Sequence, residues 1–241
     1  MSHLLIEIGN TALKAAWADG MTLGKTFRYQ GERKIDFILS LVEKEYPEVM
    51  IVASVYDISQ YDEKKLKKYC DKLEILDSKH NSIIEKADLP TYLTYDRVAS
   101  IIASRYLFKG KNCTIFDFGT TLTTDSIDAE GNYIEGHISL GCRTRFKALN
   151  RYSKTLPLVN IPGDLPEKTD SLKSSIETGI ISGIMFEIQG WMNKQHSDII
   201  VFTGGDAIYF AKRMKNSIFV VCNLVLMGLA IIAKNYVKED F

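Results

Sequence analysis

The fold of this chain is decided near its start by residues 4–14, LLIEIGNTALK. An apolar run carries a carboxylate to a Gly-Asn-Thr turn and a second apolar run leads away from it, which is the pattern of a β-hairpin. The pattern returns at residues 115–123, IFDFGTTLT, so that Glu7 and Asp117 lie 110 residues apart. Because domains are commonly about 100–150 residues long, this repeat predicts two domains of the same kind.

Between and after the hairpins, predicted strands and helices alternate. Apolar and β-branched runs predict strands at residues 3–9, 11–18, 24–28, 49–55, 73–76, 113–128, 133–139, 198–203 and 218–222, the last one buried. Helical periodicity predicts helices at residues 35–46, 59–73, 96–108, 171–195 and 223–235, with loops at 77–95 and 155–168. We therefore expect an α/β fold of two tandem domains, residues 1–112 and 113–241, each with a mixed sheet flanked by helices.

Composition excludes several classes of function. The chain has 30 basic and 30 acidic residues, and this balance argues against nucleic acid as a partner. Its four cysteines and four histidines are dispersed, which predicts no metal-ligand cluster; Cys113 and Cys222 are predicted to be small core residues. The start lacks the pattern of a signal peptide, and the longest apolar run, residues 218–233, is too short to span a membrane. We expect a cytoplasmic protein.

A strand that ends in a carboxylate and turns through glycine suits phosphate binding. The bare backbone can approach a phosphate closely, and the turn amides can donate to its oxygens. The carboxylate can hold Mg²⁺ directly or through water. Two such hairpins could grip a triphosphate from both sides. A Thr-Gly-Gly turn at residues 203–205 could accept an adenine nucleotide, or it could be a plain connection from strand to helix.

Several motifs resemble those of the type III pantothenate kinases. EIGNTALK at residues 7–14 is similar to their D-x-G-N-T-x-x-K motif, TYDR at 94–97 to G-x-D-R, and DFGTTLT at 117–123 to D-x-G-T-A-x-T. The similarity continues, in family order, through residues 133–141, 180–190, 203–207 and 223–229. The resemblance implies an actin-like (ribonuclease H-like) pair of domains with a nucleotide cleft between them. It also implies a homodimer that phosphorylates pantothenate with ATP, the first step of coenzyme A synthesis.

The resemblance implies roles for individual residues as well. Asp96 would be the catalytic base, and Asp117 would hold a monovalent cation, K⁺ or NH₄⁺, in addition to the Mg²⁺ that accompanies ATP. Arg97 could pair with the carboxylate of pantothenate through its planar guanidinium. The residues expected at ATP are Glu7, Ile8, Gly9, Asn10, Thr11, Ala12, Leu13, Lys14 and Thr120. Those expected at pantothenate are Thr94, Tyr95, Asp96, Arg97 and Leu172.

Three questions stay open from the sequence alone. Asp96 stands at a predicted helix start, so it could be a helix N-cap, a base, or both. Glu7 and Thr94 replace the Asp and Gly of the family motifs, so the chain could be a weakened relative with a regulatory or binding role, or a kinase of another hydroxy-acid or sugar. The small residues of the long helix, among them Gly179 and Gly183, predict either local packing or a dimer contact.

Overall fold

A computed structural model of the protein describes residues 2–43, 45–80 and 82–235. It divides into two compact units. The first contains the chain up to Leu107 together with the segment that starts at Asn223, and the second contains Phe108–Cys222. Within the described residues each unit holds one five-stranded mixed sheet with helices packed against it, which confirms the predicted α/β class.

The strands are β1 (Ser2–Ile8), β2 (Leu13–Asp19), β3 (Thr22–Tyr29), β4 (Val49–Ser54), β5 (Lys72–Leu76), β6 (Cys113–Phe118), β7 (Thr121–Ile127), β8 (Tyr133–Leu140), β9 (Ile199–Gly204) and β10 (Phe219–Val220). The helices are α1 (Lys34–Val42), α2 (Gln60–Leu66), α3 (Ser82–Lys86), α4 (Tyr95–Leu107), α5 (Cys142–Tyr152), α6 (Leu172–Gln195), α7 (Ala207–Ala211) and α8 (Leu224–Asn235). Most predicted elements are present, with shifted ends.

The two sheets have the same topology. Their strand orders are β3-β2-β1-β4-β5 and, read from the matching edge, β8-β7-β6-β9-β10. In each sheet the first strand of the hairpin, β1 or β6, pairs antiparallel with the second, β2 or β7. On its other side it pairs parallel with β4 or β9. The internal repeat inferred from the two hairpins is therefore a repeat of the whole sheet. Because the carboxyl ends of parallel strands meet at one edge, each hairpin lies at that edge of its own sheet.

The last helix belongs to the first unit, whereas the predicted boundary placed residues 113–241 in the second. α8 crosses α4 closely at Gly228, where a Cβ atom would overlap the backbone of Ala99. The apolar side chains of α8, such as Leu224, Leu229 and Ile232, are fully buried there. The sequence predicted an apolar helix here. Which of the two sheets this helix packs against depends on its close approach to α4, which only a glycine allows.

Several local predictions differ from the structure. α5 was not predicted, because Cys142 and Phe146 are its only buried residues within the described chain. The strand predicted at residues 218–222 is exposed and only two residues long, because β10 is an edge strand, and Cys222 is exposed rather than in the core. α1 ends at Val42 and not at residue 46.

The helix predicted at residues 59–73 also ends early. α2 stops at Leu66, and a short 3-10 turn, Lys67–Tyr69, leads to β5. Ser59 caps α2, since its hydroxyl accepts from the Asp62 amide at 3.1 Å. None of the described helices is both long and apolar enough to cross a bilayer.

Candidate active site

The hairpin between β1 and β2 is a tight turn with an open tip. The Gly9 amide donates to the Ala12 carbonyl at 3.0 Å, and a Cβ atom on Gly9 would lie 3.3 Å from that same oxygen. Asn10 and Thr11, between them, are exposed. The turn therefore presents backbone and short polar side chains to solvent at the carboxyl edge of the sheet.

The side chains at the base of this hairpin form an ion pair. Glu7 faces Lys14 across the two strands, and Lys14 Nζ lies 3.2 Å from Glu7 Oε2. Burial raises the pKa of the Glu7 carboxyl, Lys14 partly offsets this, and the carboxylate of Asp96 raises the pKa further. Two of the residues predicted for the site, Glu7 and Lys14, thus pair in the first unit, and the charge of a third, Asp96 in the first turn of α4, acts on Glu7.

The start of α4 decides how Asp96 is held. The Thr94 carbonyl accepts from the Val98 amide at 3.0 Å, so the N-cap position belongs to Thr94 and not to Asp96. Asp96 lies in the first helical turn, where its Oδ1 atom accepts from the Arg97 amide at 3.0 Å. The reading of Asp96 as the N-cap residue is therefore wrong, although its carboxylate does satisfy a first-turn amide. This bond orients the carboxylate and leaves its second oxygen for another partner.

The other residues of this motif differ in accessibility. Thr94 is exposed and Asp96 is partly buried, whereas Arg97 and Tyr95 have only 4% and 8% of their surface exposed. Burial, followed by the charges of Asp77 and Asp57, raises the pKa of Tyr95 to about 12. A pantothenate carboxylate would reach Arg97 only at a largely buried position.

A second group of polar residues lies at the same sheet edge, after β4 and β5. Asp77 is fully buried and accepts from the Ile58 amide at 2.9 Å, the Lys79 amide at 3.0 Å and His80 Nδ1 at 2.7 Å. Burial raises the pKa of Asp77, but these hydrogen bonds outweigh it and lower the pKa overall. The Asp77 carboxylate thus fixes two loops at the carboxyl edge beside α4.

In the second unit, the turn between β6 and β7 is held by hydrogen bonds from Gly141 and from α5. The Gly119 amide donates to the Thr121 carbonyl at 3.0 Å. The Thr120 carbonyl accepts from the Gly141 amide at 3.0 Å and from the Thr144 hydroxyl at 2.6 Å. A Cβ atom on Gly141 would overlap the Gly119 carbonyl oxygen. The N-terminus of α5, with its partial positive charge, is thereby fixed against the hairpin.

Asp117 lies at the end of β6 against a second glycine turn. Gly204 has a φ of +88°, and a Cβ atom there would overlap Asp117 Oδ1 and lie 2.6 Å from the Phe118 amide nitrogen. β6 and β9 are parallel, with Asp117 opposite Thr203. Among the described residues no cluster of three or more His, Cys, Asp or Glu side chains is arranged to hold a metal ion. Asp117 is thus a partly buried carboxylate that the Gly204 turn approaches closely.

Leu172, the remaining predicted substrate residue, is the first residue of α6. Its side chain is 52% exposed and follows the capping residue Ser171. A surface cavity of about 410 Å³ borders this end of α6. It is lined by Pro157, Leu158, Val159, Asn160, Ile161, Pro162, Lys173 and Glu177, so none of the predicted site residues faces it.

A family model described as type III pantothenate kinase matches residues 3–194. The chain belongs to the type III pantothenate kinase family. A curated type III pantothenate kinase of Bacteroides fragilis (strain YCH46) is 34% identical over 233 residues, covering 94% of this chain and 95% of the relative. The match therefore extends beyond the motifs to nearly the whole length of both proteins.

Solved structures show the same fold at low identity. A putative Baf family transcriptional activator from Campylobacter jejuni superposes with a TM-score of 0.63 at 20% identity, covering 97% of this chain and 98% of the other. The activator of 2-hydroxyisocaproyl-CoA dehydratase from Clostridium difficile, with bound ADPNP, gives a TM-score of 0.60 at 13% identity, covering 100% and 97%. These likenesses confirm the actin-like, two-domain fold expected for a type III pantothenate kinase.

Some residues that contact the hairpins lie outside the family motifs. Lys34 and Tyr56 lie beside Gly9 and Asn10, and Thr144 holds Thr120. No spacing in the sequence pointed to them, because each comes from a different element that reaches the hairpin only in the folded chain. Gly141, by contrast, ends the family-like segment of residues 133–141.

Proposed function

We propose that the protein phosphorylates pantothenate with ATP to give 4′-phosphopantothenate, the first step of coenzyme A synthesis. One observation supports this most directly: in a chain of this family, Glu7 and Lys14 pair at the base of an exposed glycine hairpin, and the charge of Asp96 acts on Glu7. Phosphoryl transfer needs the acceptor hydroxyl aimed at the phosphorus and the developing charge neutralised. The grouping supplies a cation, a carboxylate and turn backbone in one place.

The phosphates of ATP are assigned to the tip of the first hairpin. Asn10 and Thr11 are exposed there and offer amide and hydroxyl donors. Lys14 adds positive charge at the base of the hairpin, although Glu7 partly neutralises it. In the second unit, Thr120 is assigned to ATP as well, and the N-terminus of α5 that is fixed to it favours negative charge.

Asp96 is proposed as the base that takes the proton of the pantothenate hydroxyl. Its bond from the Arg97 amide orients the carboxylate, and an oriented carboxylate contributes about 10²–10⁴-fold by general-base catalysis. Thr94, which is exposed at the N-cap, is the residue of this motif that a substrate reaches first. Tyr95, Arg97 and Leu172 remain assigned to pantothenate from the family motifs.

The two cations are assigned by the chemistry of the donors. Asp117 supplies carboxylate oxygens at the turn that Gly204 approaches closely, and it remains assigned to the monovalent cation from the family motif. Mg²⁺ in kinases is held by one or two carboxylates together with substrate phosphates, so Glu7 alone can contribute the protein oxygen. When bound, these ions neutralise charge on the phosphates. A cytoplasmic location agrees with the use of ATP.

We also propose that the protein is a homodimer that uses one face of α6. The buried residues of this helix, including Ile181, Ile184 and Ile188, lie on one side. On the opposite side, no described atom lies within 4 Å of a Cβ atom built at Gly179, Gly183 or Gly190. Local packing therefore does not explain these glycines. The side chain of Phe186, on the same face, is 75% exposed, which favours a contact with a second copy.

The function is tested by incubating the purified protein with ATP, Mg²⁺ and pantothenate, with and without K⁺. Mass spectrometry should detect 4′-phosphopantothenate, and omission of K⁺ should lower the rate. Asp96→Asn should lose turnover while keeping the wild-type circular dichroism spectrum and unfolding midpoint. ADP release with another hydroxy-acid or a sugar, but not with pantothenate, would replace the substrate. Unchanged turnover in folded Asp96→Asn would remove Asp96 as the base.

A further inference from the structure

Lys34 reaches the first hairpin from outside the family motif. Its Nζ atom lies 3.3 Å from the Gly9 carbonyl oxygen and 4.9 Å from the centre of the Tyr56 ring. The Tyr56 hydroxyl in turn donates to Asn10 Oδ1 at 3.4 Å. We call these two side chains the Lys34–Tyr56 pair. They flank the tip of the hairpin, which is assigned above to the ATP phosphates.

The position of Lys34 in α1 is unfavourable for the helix itself. Lys34 is the first residue of α1, and the residue before it, Arg33, makes no side-chain cap. A positive charge in the first turn opposes the helix dipole, which favours acidic residues there. The lysine therefore does not serve to stabilise α1. A charge placed against local preference is a common mark of a functional position.

The structure holds the Lys34–Tyr56 pair in place beside the turn. Tyr56 follows the carboxyl end of β4, where its amide donates to the Ser54 hydroxyl at 3.1 Å and the Val55 amide donates to the Ile8 carbonyl at 3.1 Å. The partners of Lys34 Nζ within the described residues are a carbonyl oxygen and an aromatic ring. Both orient the ammonium group, and neither removes its net charge.

Lys14 is in a different position. It is the cation that the family motif supplies, but its Nζ atom is paired with the Glu7 carboxylate at 3.2 Å. A lysine already bound to a carboxylate offers less net charge to a phosphate than one bound to neutral groups. The Gly9 carbonyl that Lys34 contacts and the Asn10 amide belong to the same trans peptide unit and point in opposite directions, so the long lysine side chain must swing around the turn to meet an anion seated on the amides.

We propose that Lys34 is a second cation for the phosphates of the nucleotide, held at the hairpin by Tyr56. This inference rests on the proposed use of ATP, and it adds a residue that the motif does not contain. The ammonium group would exchange its hydrogen bond with the Gly9 carbonyl for one with a phosphate oxygen. Lysine is suited to this role because it acts as a mobile point charge with three donors.

The test compares the binding of ATP and adenosine by calorimetry to wild type, Lys34→Met and Lys25→Met. Lys25→Met is the matched control, because Lys25 also lies over a ring, that of Phe27, at 5.2 Å, but belongs to the middle of β3. Loss of a hydrogen bond to a charged group predicts about 10- to 100-fold weaker ATP binding in Lys34→Met. Adenosine binding should be unchanged in both variants, and Lys25→Met should bind ATP as wild type does.

Each result decides between the two proposals. If Lys34→Met binds ATP within about twofold of wild type, or loses ATP and adenosine affinity equally, Lys34 makes no phosphate contact. If wild type binds ATP and Lys34→Met does not, while wild type fails to phosphorylate pantothenate, the inference about Lys34 stands and the proposed substrate is wrong. If wild type binds no nucleotide, both proposals are overturned. Lys34→Arg, which keeps the charge, should retain most of the ATP affinity.

Discussion

Lys14 Nζ lies 3.2 Å from Glu7 Oε2 across the base of the first hairpin. The family motif has aspartate where this chain has Glu7, and the glutamate side chain is longer by one methylene group. In this chain the glutamate pairs with the lysine of the same motif. The free energy of this pair is offset by burial of the carboxylate, which raises the Glu7 pKa above its ordinary value of 4.5.

The first prediction concerns the pH dependence of stability. Because the pKa of Glu7 is raised in the folded protein, Glu7 stabilises the fold fully below its unfolded pKa, and this contribution is lost as pH rises through the folded pKa. The free energy of unfolding of wild type, minus that of Glu7→Gln, should therefore fall over the pH range above about 4.5, the ordinary pKa of a glutamate. Urea unfolding across this range measures it. The exposed Glu85→Gln serves as control, and a flat or rising difference for Glu7→Gln would contradict the prediction.

The second prediction concerns the glycine against Asp117. Gly204→Ala should destabilise the protein by about 1–3 kcal/mol, because φ is positive and the new methyl group would overlap Asp117 and Phe118. Gly163→Ala is the control, because a methyl group there meets no described atom within 4 Å and φ lies outside the left-handed region, so alanine should not lower stability and can raise it by about 0.4–1 kcal/mol. Chemical unfolding of both variants gives the comparison. Equal stability of Gly204→Ala and wild type would show that the turn at residue 204 relaxes easily.

The third prediction tests the dimer face of α6. Phe186→Asp should convert a dimer to a monomer, because it places a charge in the proposed apolar contact. Tyr61→Asp is the control, since Tyr61 is 74% exposed and Phe186 is 75% exposed, but Tyr61 lies on α2 in the other unit. Light scattering coupled to size-exclusion chromatography measures the mass. A dimer that survives Phe186→Asp would move the contact elsewhere.

The fourth prediction concerns the cysteines. Burial raises the pKa of Cys70 to about 11 and that of Cys142 to about 12, so neither forms a reactive thiolate near neutral pH. Cys113 is also buried, whereas Cys222 is exposed. Brief alkylation of the native protein should therefore modify Cys222 alone, and peptide mass spectrometry identifies the site. Labelling of Cys142 before Cys222 in folded protein would falsify the assigned burial.

The local pattern of the chain was sufficient to predict both hairpins. Two apolar runs joined by a carboxylate and a glycine turn are compatible with few backbone conformations other than a β-hairpin. β4, fully buried, was predicted from its β-branched run, and the long helix α6 from its helical periodicity. The family motifs also indicated Asp96 and Asp117 as candidate site residues without coordinates. These features depend on residues close together in sequence, where the spacing itself carries the information.

The sequence alone therefore determined the repeat, the α/β class and the family of this protein. Only the tertiary structure decided which unit takes α8, through the contact of Gly228 with Ala99. It also decided that Thr94 is the N-cap in place of Asp96, and that Lys34 reaches the Gly9 carbonyl. These outcomes depend on atoms from separate elements that meet at distances of a few ångströms, and no local periodicity encodes such a meeting.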